Sequence, residues 1–285
     1  MQHKSKRLLI LYMFFGIAVV SAVVLTAALG RTIYLERRGE AFFVEIAEIA
    51  PQFVPISDAS QYLTTLTPVL VTDTVERSDT HLVDIAEAED DLAGGDILDF
   101  ALDFSRLSDI MPGTVGWIQS YGTNINYPIV QGADNDFYLH HLPNGTRNPM
   151  GSIFLDYRNA PDFSDEVIII YGHDMPRDNK FGSLRHYNNQ AYFEQHPVMT
   201  IFTPDGNFAV VLFAGYILDA AFYAPPMSFE DYAAFRDFVD DVISRSVFVS
   251  NIHVPQGSQL VLLATCTPTG PLSHRFILVG KLIRI

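Results

Sequence analysis

Three stretches of different hydrophobic pattern follow one another along the chain. Residues 8–30 carry no charged side chain, and this apolar run predicts a helix long enough to cross a bilayer, which takes about 20 residues. Residues 31–96 combine helix-forming, acidic and proline-containing pieces, so they predict a solvated linker or stalk. In residues 97–285, short runs of β-branched and aromatic residues alternate with Gly, Pro, Asn and Asp, which predicts a folded β-domain.

The β-domain contains eight candidate strands. Each is rich in apolar, β-branched or aromatic residues and is bounded by turn residues. They are VGWIQS (115–120), INYPIVQG (125–132), GSIFLDY (151–157), EVIIIYGH (166–173), VMTIFTPDG (198–206), FAVVLFAGYIL (208–218), QLVLLATC (259–266) and RFILVGKLIRI (275–285). The spacing of these segments predicts a mostly antiparallel sandwich or barrel.

Two segments of this domain have the periodicity of helices. Residues 96–110 place apolar side chains three and four positions apart and predict a short helix. Residues 225–246 predict a longer helix between two late strands, with Ser228 and Asp231 in a capping-box pattern. One face of this helix is apolar and is predicted to pack on the sheet; it comprises Phe229, Tyr232, Phe235, Phe238, Val239 and Val242.

The apolar run 8–30 favours a membrane anchor over a cleaved signal peptide. A signal peptide has a shorter apolar core, about 7–15 residues, before its cleavage site. Positive charges flank the run on both sides and do not decide its orientation. Because the long acidic remainder offers no second apolar span, we expect residues 1–7 to form a cytoplasmic tail and the rest of the chain to be extracellular.

Composition excludes two classes of protein. The chain has 33 acidic and 18 basic residues, a formal net charge of −15, whereas a nucleic-acid-binding surface is basic. The single cysteine, Cys266, cannot form an intramolecular disulfide, so the chain is not a disulfide-stapled secreted scaffold. On composition alone, a lone cysteine is read as a small buried hydrophobe. Whether Cys266 is structural or catalytic therefore depends on which residues can lie near it.

Two residues stand where they could activate Cys266. A thiolate is the nucleophilic form of cysteine, and cationic neighbours favour it. His173, one of nine histidines, ends an apolar strand just as Cys266 does. Arg275 opens the strand after Cys266 and lies beside the end of the preceding strand if the two pair as a hairpin. We therefore expect Cys266, His173 and Arg275 to meet at one end of the β-structure.

These residues resemble the active-site signature of the sortases, and the sequence is similar to class B within that family. The signature is Thr-Leu-x-Thr-Cys at the end of a strand, with an Arg opening the next strand. Residues 262–266 read Leu-Leu-Ala-Thr-Cys, and Arg275 follows. Four further segments resemble class B blocks in the expected order, so the resemblance covers residues 98–285; these segments are 116–141, 151–159, 168–175 and 181–187.

The resemblance implies a fold and a reaction. The fold is a closed sortase-type β-barrel of about eight strands, with an N-terminal helix and a long helix inserted between late strands. The reaction cleaves a C-terminal sorting signal of a secreted protein, between Thr and Gly or a similar residue, and joins the new carboxyl end to a cell-wall amine. Cys266 would be the nucleophile that forms a thioacyl intermediate, His173 the general acid and base, and Arg275 the donor to the oxyanion.

The resemblance also implies four substrate-binding residues: Asn135, Leu139, Tyr223 and Thr265. The structural alternatives are a turn role for Asn135, a core role for Leu139 and packing for Tyr223. No cofactor, metal ion or calcium requirement is expected. His140 and His141 are adjacent, so on a strand they would face opposite sides, and no further ligand spacing follows.

The chain departs from the family pattern at three positions. Leu262 stands where the signature has Thr, Ala264 stands where class B often has a polar residue, and Thr267 stands where an acidic residue often follows the cysteine. The last two changes concern substrate contacts rather than the reaction.

Three other hypotheses remain open from the sequence. The chain could be a sortase of another class, such as a pilin polymerase, or a peptidase that only hydrolyses. It could also be a non-enzymatic, membrane-anchored β-domain with a structural cysteine. For the transpeptidase, the expected partners are secreted proteins with sorting signals, a peptidoglycan precursor or cross-bridge amine, and the membrane through residues 8–30.

Overall fold

A computed structural model describes residues 2–50, 102–219, 225–266 and 274–285. The chain divides into two compact units, residues 1–46 and residues 47–285. The predicted linker segment 51–96 and the predicted substrate residue Tyr223 lie outside the described residues. The domain boundaries drawn from the sequence therefore stay predictions.

The first unit is a long helix, α1 (Gln2–Ala47). It continues past the apolar run into the first part of the predicted linker, where helix-forming residues allow it to propagate. By length and composition Met13–Ala47 can cross a membrane, with a mean hydropathy of 2.3 over its apolar window. A signal sequence near an N-terminus meets the same two criteria.

The second unit is a closed eight-stranded barrel, which confirms the predicted fold. All eight predicted strands are present. Their bounds are β1 Thr114–Gln119, β2 Asn126–Gln131, β3 Ile153–Leu155, β4 Val167–His173, β5 Val198–Thr203, β6 Gly206–Asp219, β7 Leu260–Cys266 and β8 His274–Arg284.

Strand pairing follows the order β1-β2-β3-β4-β7-β8-β6-β5, and β5 closes the barrel onto β1. Most pairs are antiparallel, but β2 pairs with β3 and β4 pairs with β7 in parallel. Closure leaves the sheet without an open edge. Every residue of β4 is buried, and so are residues 260–265 of β7, as expected for two apolar strands in a barrel wall.

Three short α-helices accompany the barrel in the described part of the second unit. They are α2 (Phe104–Ile110), α3 (Gln190–Gln195) and α4 (Tyr232–Arg245), and one-turn or two-turn 3₁₀ helices cover 137–139, 176–178 and 182–188. The sequence pattern predicted α2 and α4 but not α3 or the 3₁₀ helices.

Helix α4 lies between β6 and β7, as predicted, but it begins later than its capping-box pattern suggested. The N-cap is Asp231, whose carboxylate accepts a hydrogen bond from the Ala234 main-chain N–H. Ser228 lies before the helix, and the Phe229 N–H donates to the Glu166 carboxylate over 3.0 Å. The Phe229 N–H is thus used outside the helix, which begins only after Asp231.

The apolar face of α4 packs on the barrel. Phe235, Val239 and Val242 are buried in the same hydrophobic cluster as side chains of β4, β6, β7 and β8. Tyr232, at the first turn, is 47% exposed. The helix therefore covers one side of the wall that carries the ends of β4 and β7.

Candidate active site

Strands β4 and β7 bring two of the predicted residues to facing positions. Their parallel ladder runs without interruption from Val167 opposite Leu260 to His173 opposite Cys266. Both strands are continuous apolar runs, which is the pattern of a parallel pair buried on both faces. Since the two strands end together, the histidine and the cysteine occupy the same end of the barrel wall. For Cys266 this placement concerns the backbone.

Strand β8 brings the third residue to the same end. β7 and β8 pair antiparallel, and the last recorded partners are Ala264 and Ile277. Extended by two residues, this register would place the backbone of Cys266 opposite that of Arg275. The Thr265 hydroxyl accepts a hydrogen bond from the Phe276 N–H over 2.8 Å, which continues the pairing beyond the ladder.

His173 is buried and held by a main-chain carbonyl. Its Nε2 lies 2.7 Å from the oxygen of Leu139, in the 3₁₀ helix 137–139. A carbonyl oxygen only accepts, so Nε2 carries the proton. In the neutral ring, Nδ1 is therefore the nitrogen that can take up a proton, and in the imidazolium it is the nitrogen that can release one.

Arg275 is half-buried between two groups. Its Nη1 makes a long contact of 3.5 Å with the Thr265 carbonyl oxygen. Its Cζ lies 6.0 Å from the ring centroid of Tyr171, within the range of a cation–π interaction. Tyr171 lies two residues before His173 on β4, so the two side chains share one face of the strand.

Behind Tyr171 lies a buried carboxylate, Asp156, which directly follows β3. Its Oδ2 accepts hydrogen bonds from the Tyr171 hydroxyl (3.1 Å), Asn135 Nδ2 (3.0 Å) and Arg158 Nη2 (2.7 Å). Its Oδ1 accepts two more from Arg158, through Nε and the main-chain N–H. Burial by itself raises the pKa of Asp156, but the hydrogen bonds from Arg158 and Asn135 outweigh it and leave this pKa below its ordinary value.

The comparisons with known proteins agree with this geometry. The chain is 35% identical to sortase B of Listeria monocytogenes over 190 residues, which span 66% of this chain and 76% of the relative. This chain belongs to the class B sortases. It is also 28% identical to Staphylococcus aureus sortase B over 183 residues, 64% of this chain and 75% of that protein. No protein-family model matches the chain.

Solved sortase B structures share the fold. The structure of the Staphylococcus aureus sortase B–substrate complex superposes with a TM-score of 0.61 at 28% identity, over 64% of this chain and 85% of that chain. A sortase B complex with triglycine gives a TM-score of 0.60 at 28% identity, over 64% of this chain and 86% of that chain. This class B sortase therefore has the barrel of its relatives, and its activity is that of a sortase-type cysteine transpeptidase.

The substrate residues expected in this sortase occupy different surroundings. Asn135 donates to Asp156, and its Oδ1 accepts a hydrogen bond from the Tyr157 N–H over 3.0 Å. The Leu139 side chain is half-buried and packs against the core, while its carbonyl holds His173. Thr265 is buried, with its hydroxyl engaged by β8. Both polar ends of the Asn135 side chain are thus already used within the protein.

Sequence reasoning missed three contributors to this site. The Leu139 carbonyl could not be predicted, because every residue has a main-chain carbonyl whatever its side chain. Asp156 and Tyr171 stand inside segments that were recognised as class B blocks, but nothing in their spacing predicts that they meet. One feature of the sequence could have indicated Asp156: it directly follows an apolar strand. A carboxylate buried at such a position requires hydrogen-bond donors around it.

The carboxylate of Asp174, the residue after His173, forms an ion pair with Arg185. Its Oδ1 lies 3.1 Å from Nη1 of Arg185, and burial raises the pKa of this carboxyl. Arg185 also reaches Asp178, which accepts from His186 Nε2. These contacts tie the segment after His173 to the 3₁₀ helix 182–188. In the described ranges no group of three or more His, Cys, Asp or Glu is arranged to hold a metal ion.

Proposed function

We propose that this class B sortase is a membrane-anchored transpeptidase that cleaves a sorting signal and transfers its new carboxyl end to a cell-wall amine. Cys266, His173 and Arg275 are its catalytic residues in this proposal. The observation that carries it is the uninterrupted β4–β7 register, which sets His173 opposite Cys266 in a member of the sortase family.

The acylation step uses the cysteine and the histidine. The Cys266 thiolate attacks the carbonyl carbon of the scissile bond, and an S–C bond forms as the carbonyl becomes an oxyanion. When the oxyanion collapses, the C–N bond breaks and the departing amine takes a proton from the His173 imidazolium. Because Nε2 is held by the Leu139 carbonyl, Nδ1 is the nitrogen that donates this proton.

Arg275 supplies fixed N–H donors at the same end of the barrel. A guanidinium can place two donors in one plane toward an oxyanion, and a half-buried one stabilises that charge more than it would in water. The Tyr171 ring and the Thr265 carbonyl limit the positions open to the guanidinium. Stabilisation by a pre-positioned donor requires no reorganisation during the reaction.

The second step is transfer rather than hydrolysis. The incoming amine gives a proton to His173 and attacks the thioester, and the Cys266 sulfur leaves as thiolate. Sortase B structures have been solved with a substrate and with triglycine. By analogy, we propose a sorting-signal peptide and an oligoglycine-like or other peptidoglycan amine as the two substrates of this chain. The apolar helix α1 supports anchoring in the membrane, and we propose that the barrel lies outside the cell.

The test is a product analysis on the full-length protein in detergent. It is incubated with a small library of peptides containing a Thr-Gly step, with and without triglycine, and the products are separated by chromatography. We expect a ligated product that requires the amine and is absent with Cys266→Ala. Cleavage that is unchanged in Cys266→Ala would contradict the proposal, and free acid as the sole product in both conditions would make the protein a hydrolase.

A further inference from the structure

The Asp156 cluster, which comprises Asp156, Asn135, Arg158 and Tyr171, connects to two of the proposed catalytic residues, His173 and Arg275. One carboxylate, fully removed from solvent, accepts five hydrogen bonds within 3.1 Å. Three of them come from Arg158, whose side chain reaches outward and is 41% exposed. The other two come from Asn135 and Tyr171, which lead to His173 and to Arg275, respectively.

One branch of the cluster leads to His173. Asn135 is clamped on both sides, because its amide donates to Asp156 and its oxygen accepts from the Tyr157 N–H. One residue earlier, the Asp134 carboxylate accepts from the N–H groups of Asp136 and Phe137, which fixes the start of the 3₁₀ helix 137–139. That helix ends at Leu139, whose carbonyl receives the Nε2–H of His173.

The other branch leads to Arg275. The Tyr171 hydroxyl donates to Asp156 over 3.1 Å, and this bond holds the outer end of the ring in place. The ring packs on Phe154 at a centroid distance of 5.2 Å, and its centroid lies 6.0 Å from Cζ of Arg275. Burial and the Asp156 charge raise the pKa of Tyr171, so its hydroxyl keeps the proton it donates.

We propose that Asp156 is a positioning residue that sets two catalytic groups at once, the His173 ring through Asn135 and Leu139 and the Arg275 guanidinium through Tyr171. This inference rests on the proposed roles of His173 and Arg275. It assigns Asn135 to positioning rather than to substrate contact. No contact between Asp156 and the substrate is proposed.

A carboxylate suits this position because it can accept from all five donors together. An amide in its place presents one acceptor oxygen and one NH₂ group, and the NH₂ would face a donor. Asp156→Asn therefore leaves at least one buried donor unsatisfied and lets both branches relax. A displacement of about 1 Å in a catalytic group can cost about 10²-fold in rate.

The main experiment measures kcat and KM for peptide transfer by the full-length protein. We expect Asp156→Asn to lower kcat about 100-fold with KM within about twofold of wild type. The matched control is Asp165→Asn, a neighbouring carboxylate that accepts from Asn159 Nδ2 and the Ala160 N–H but touches neither branch. It is expected to keep the wild-type kcat. Equal kcat values for folded Asp156→Asn and wild type would overturn the inference.

Two milder variants separate the branches if Asp156→Asn folds poorly. Tyr171→Phe removes one hydroxyl and keeps the ring, and Asn135→Ala cuts the other branch. We expect Tyr171→Phe to lower kcat about tenfold in the wild-type background but less than about twofold in the Arg275→Lys background, because it acts through the guanidinium. Full additivity of the two changes would refute the Arg275 branch. A rise in KM with unchanged kcat for Asn135→Ala would make Asn135 a substrate contact instead.

A second readout keeps this test independent of transpeptidation. Cys266 is the only cysteine, so alkylation by iodoacetamide reports a single site. When His173 and Arg275 are held less firmly, their positive charges stabilise the Cys266 thiolate less. We therefore expect the pH profile of alkylation to move to higher pH in Asp156→Asn and to stay in place in Asp165→Asn. If wild type labels but never transfers a peptide, the proposed function fails and this profile still decides the role of Asp156. Identical profiles in all three proteins would reject that role.

Discussion

Gly151 is the position where the methyl group added by an alanine substitution would disturb the candidate active site most directly. Its φ is +55°, in the left-handed region that favours glycine. A Cβ there would lie 2.6 Å from the Leu139 carbonyl oxygen, 2.8 Å from that of Tyr138 and 3.0 Å from Cδ2 of His173. The Leu139 oxygen holds the histidine ring, so Gly151→Ala displaces both partners of that hydrogen bond.

Two costs add in the folded protein. An alanine in the left-handed region costs about 1–2 kcal/mol, and forcing extra atoms into a packed site costs about 1–3 kcal/mol. We therefore expect Gly151→Ala to lower the free energy of unfolding by about 2–5 kcal/mol. A shift of about 1 Å in the His173 ring lowers kcat/KM about 100-fold, or about 2.7 kcal/mol in the activation barrier.

Gly145 provides the matched control. Its φ is +78°, but a Cβ there meets nothing within 4 Å. Gly145→Ala should therefore carry only the backbone cost of about 1–2 kcal/mol and keep the wild-type kcat/KM. The assays are thermal unfolding and peptide transfer by the full-length protein in detergent. If folded Gly151→Ala transfers peptide as fast as Gly145→Ala, the Leu139 carbonyl does not position His173.

Three further predictions test the site, the buried charge and the packing. Arg275→Lys should lose most transfer activity at an unchanged melting temperature, because an ammonium lacks the planar fork of donors; turnover equal to wild type would show that charge alone suffices. Burial holds the pKa of Lys180 well below its ordinary value, so the unfolded chain binds a proton that the folded chain lacks, and stability rises with pH up to the ordinary lysine pKa. Lys180→Met should remove that slope and raise the free energy of unfolding at neutral pH, whereas an unchanged slope in urea titrations between neutral and alkaline pH would contradict this. Phe235→Ala on α4 should lower the free energy of unfolding by about 3–5 kcal/mol, because the ring is buried and packs edge-on against Phe229. The control Ile243→Ala, on the exposed side of the same helix, should cost less than about 1 kcal/mol in the same denaturation assay.

The strands were predictable because their pattern is local. Each of the eight is an apolar or alternating run with turn residues at its ends, and the structure contains all of them. The parallel pairing of β4 with β7 was not predicted, since strands so far apart in the sequence meet only through the closure of the barrel. The start of α4 was predicted too early, because the pattern placed Ser228 at the N-cap, whereas Asp231 caps the helix and the Phe229 N–H is bonded to Glu166.

The same division applies to the candidate site. Strand ends could be recognised from sequence, and they drew attention to Cys266, His173 and Arg275. The supports beneath them depend on atoms and distances that residue types do not encode: a carbonyl at Leu139, a shared carboxylate at Asp156 and an aromatic face at Tyr171. Whether Tyr223 and Thr265 contact substrate stays a prediction, because nothing in the described geometry tests it.

The thioacyl intermediate on Cys266 is tested most directly by intact-mass analysis of the full-length protein after brief incubation with a sorting-signal peptide and no amine. If Cys266 is the nucleophile, the mass increases by that of the peptide fragment that ends at the cleaved carbonyl. Fragmentation then locates the adduct on Cys266, and adding triglycine releases it. A folded wild-type protein that cleaves the peptide while its mass never changes, or an adduct on any residue other than Cys266, would contradict that role of Cys266.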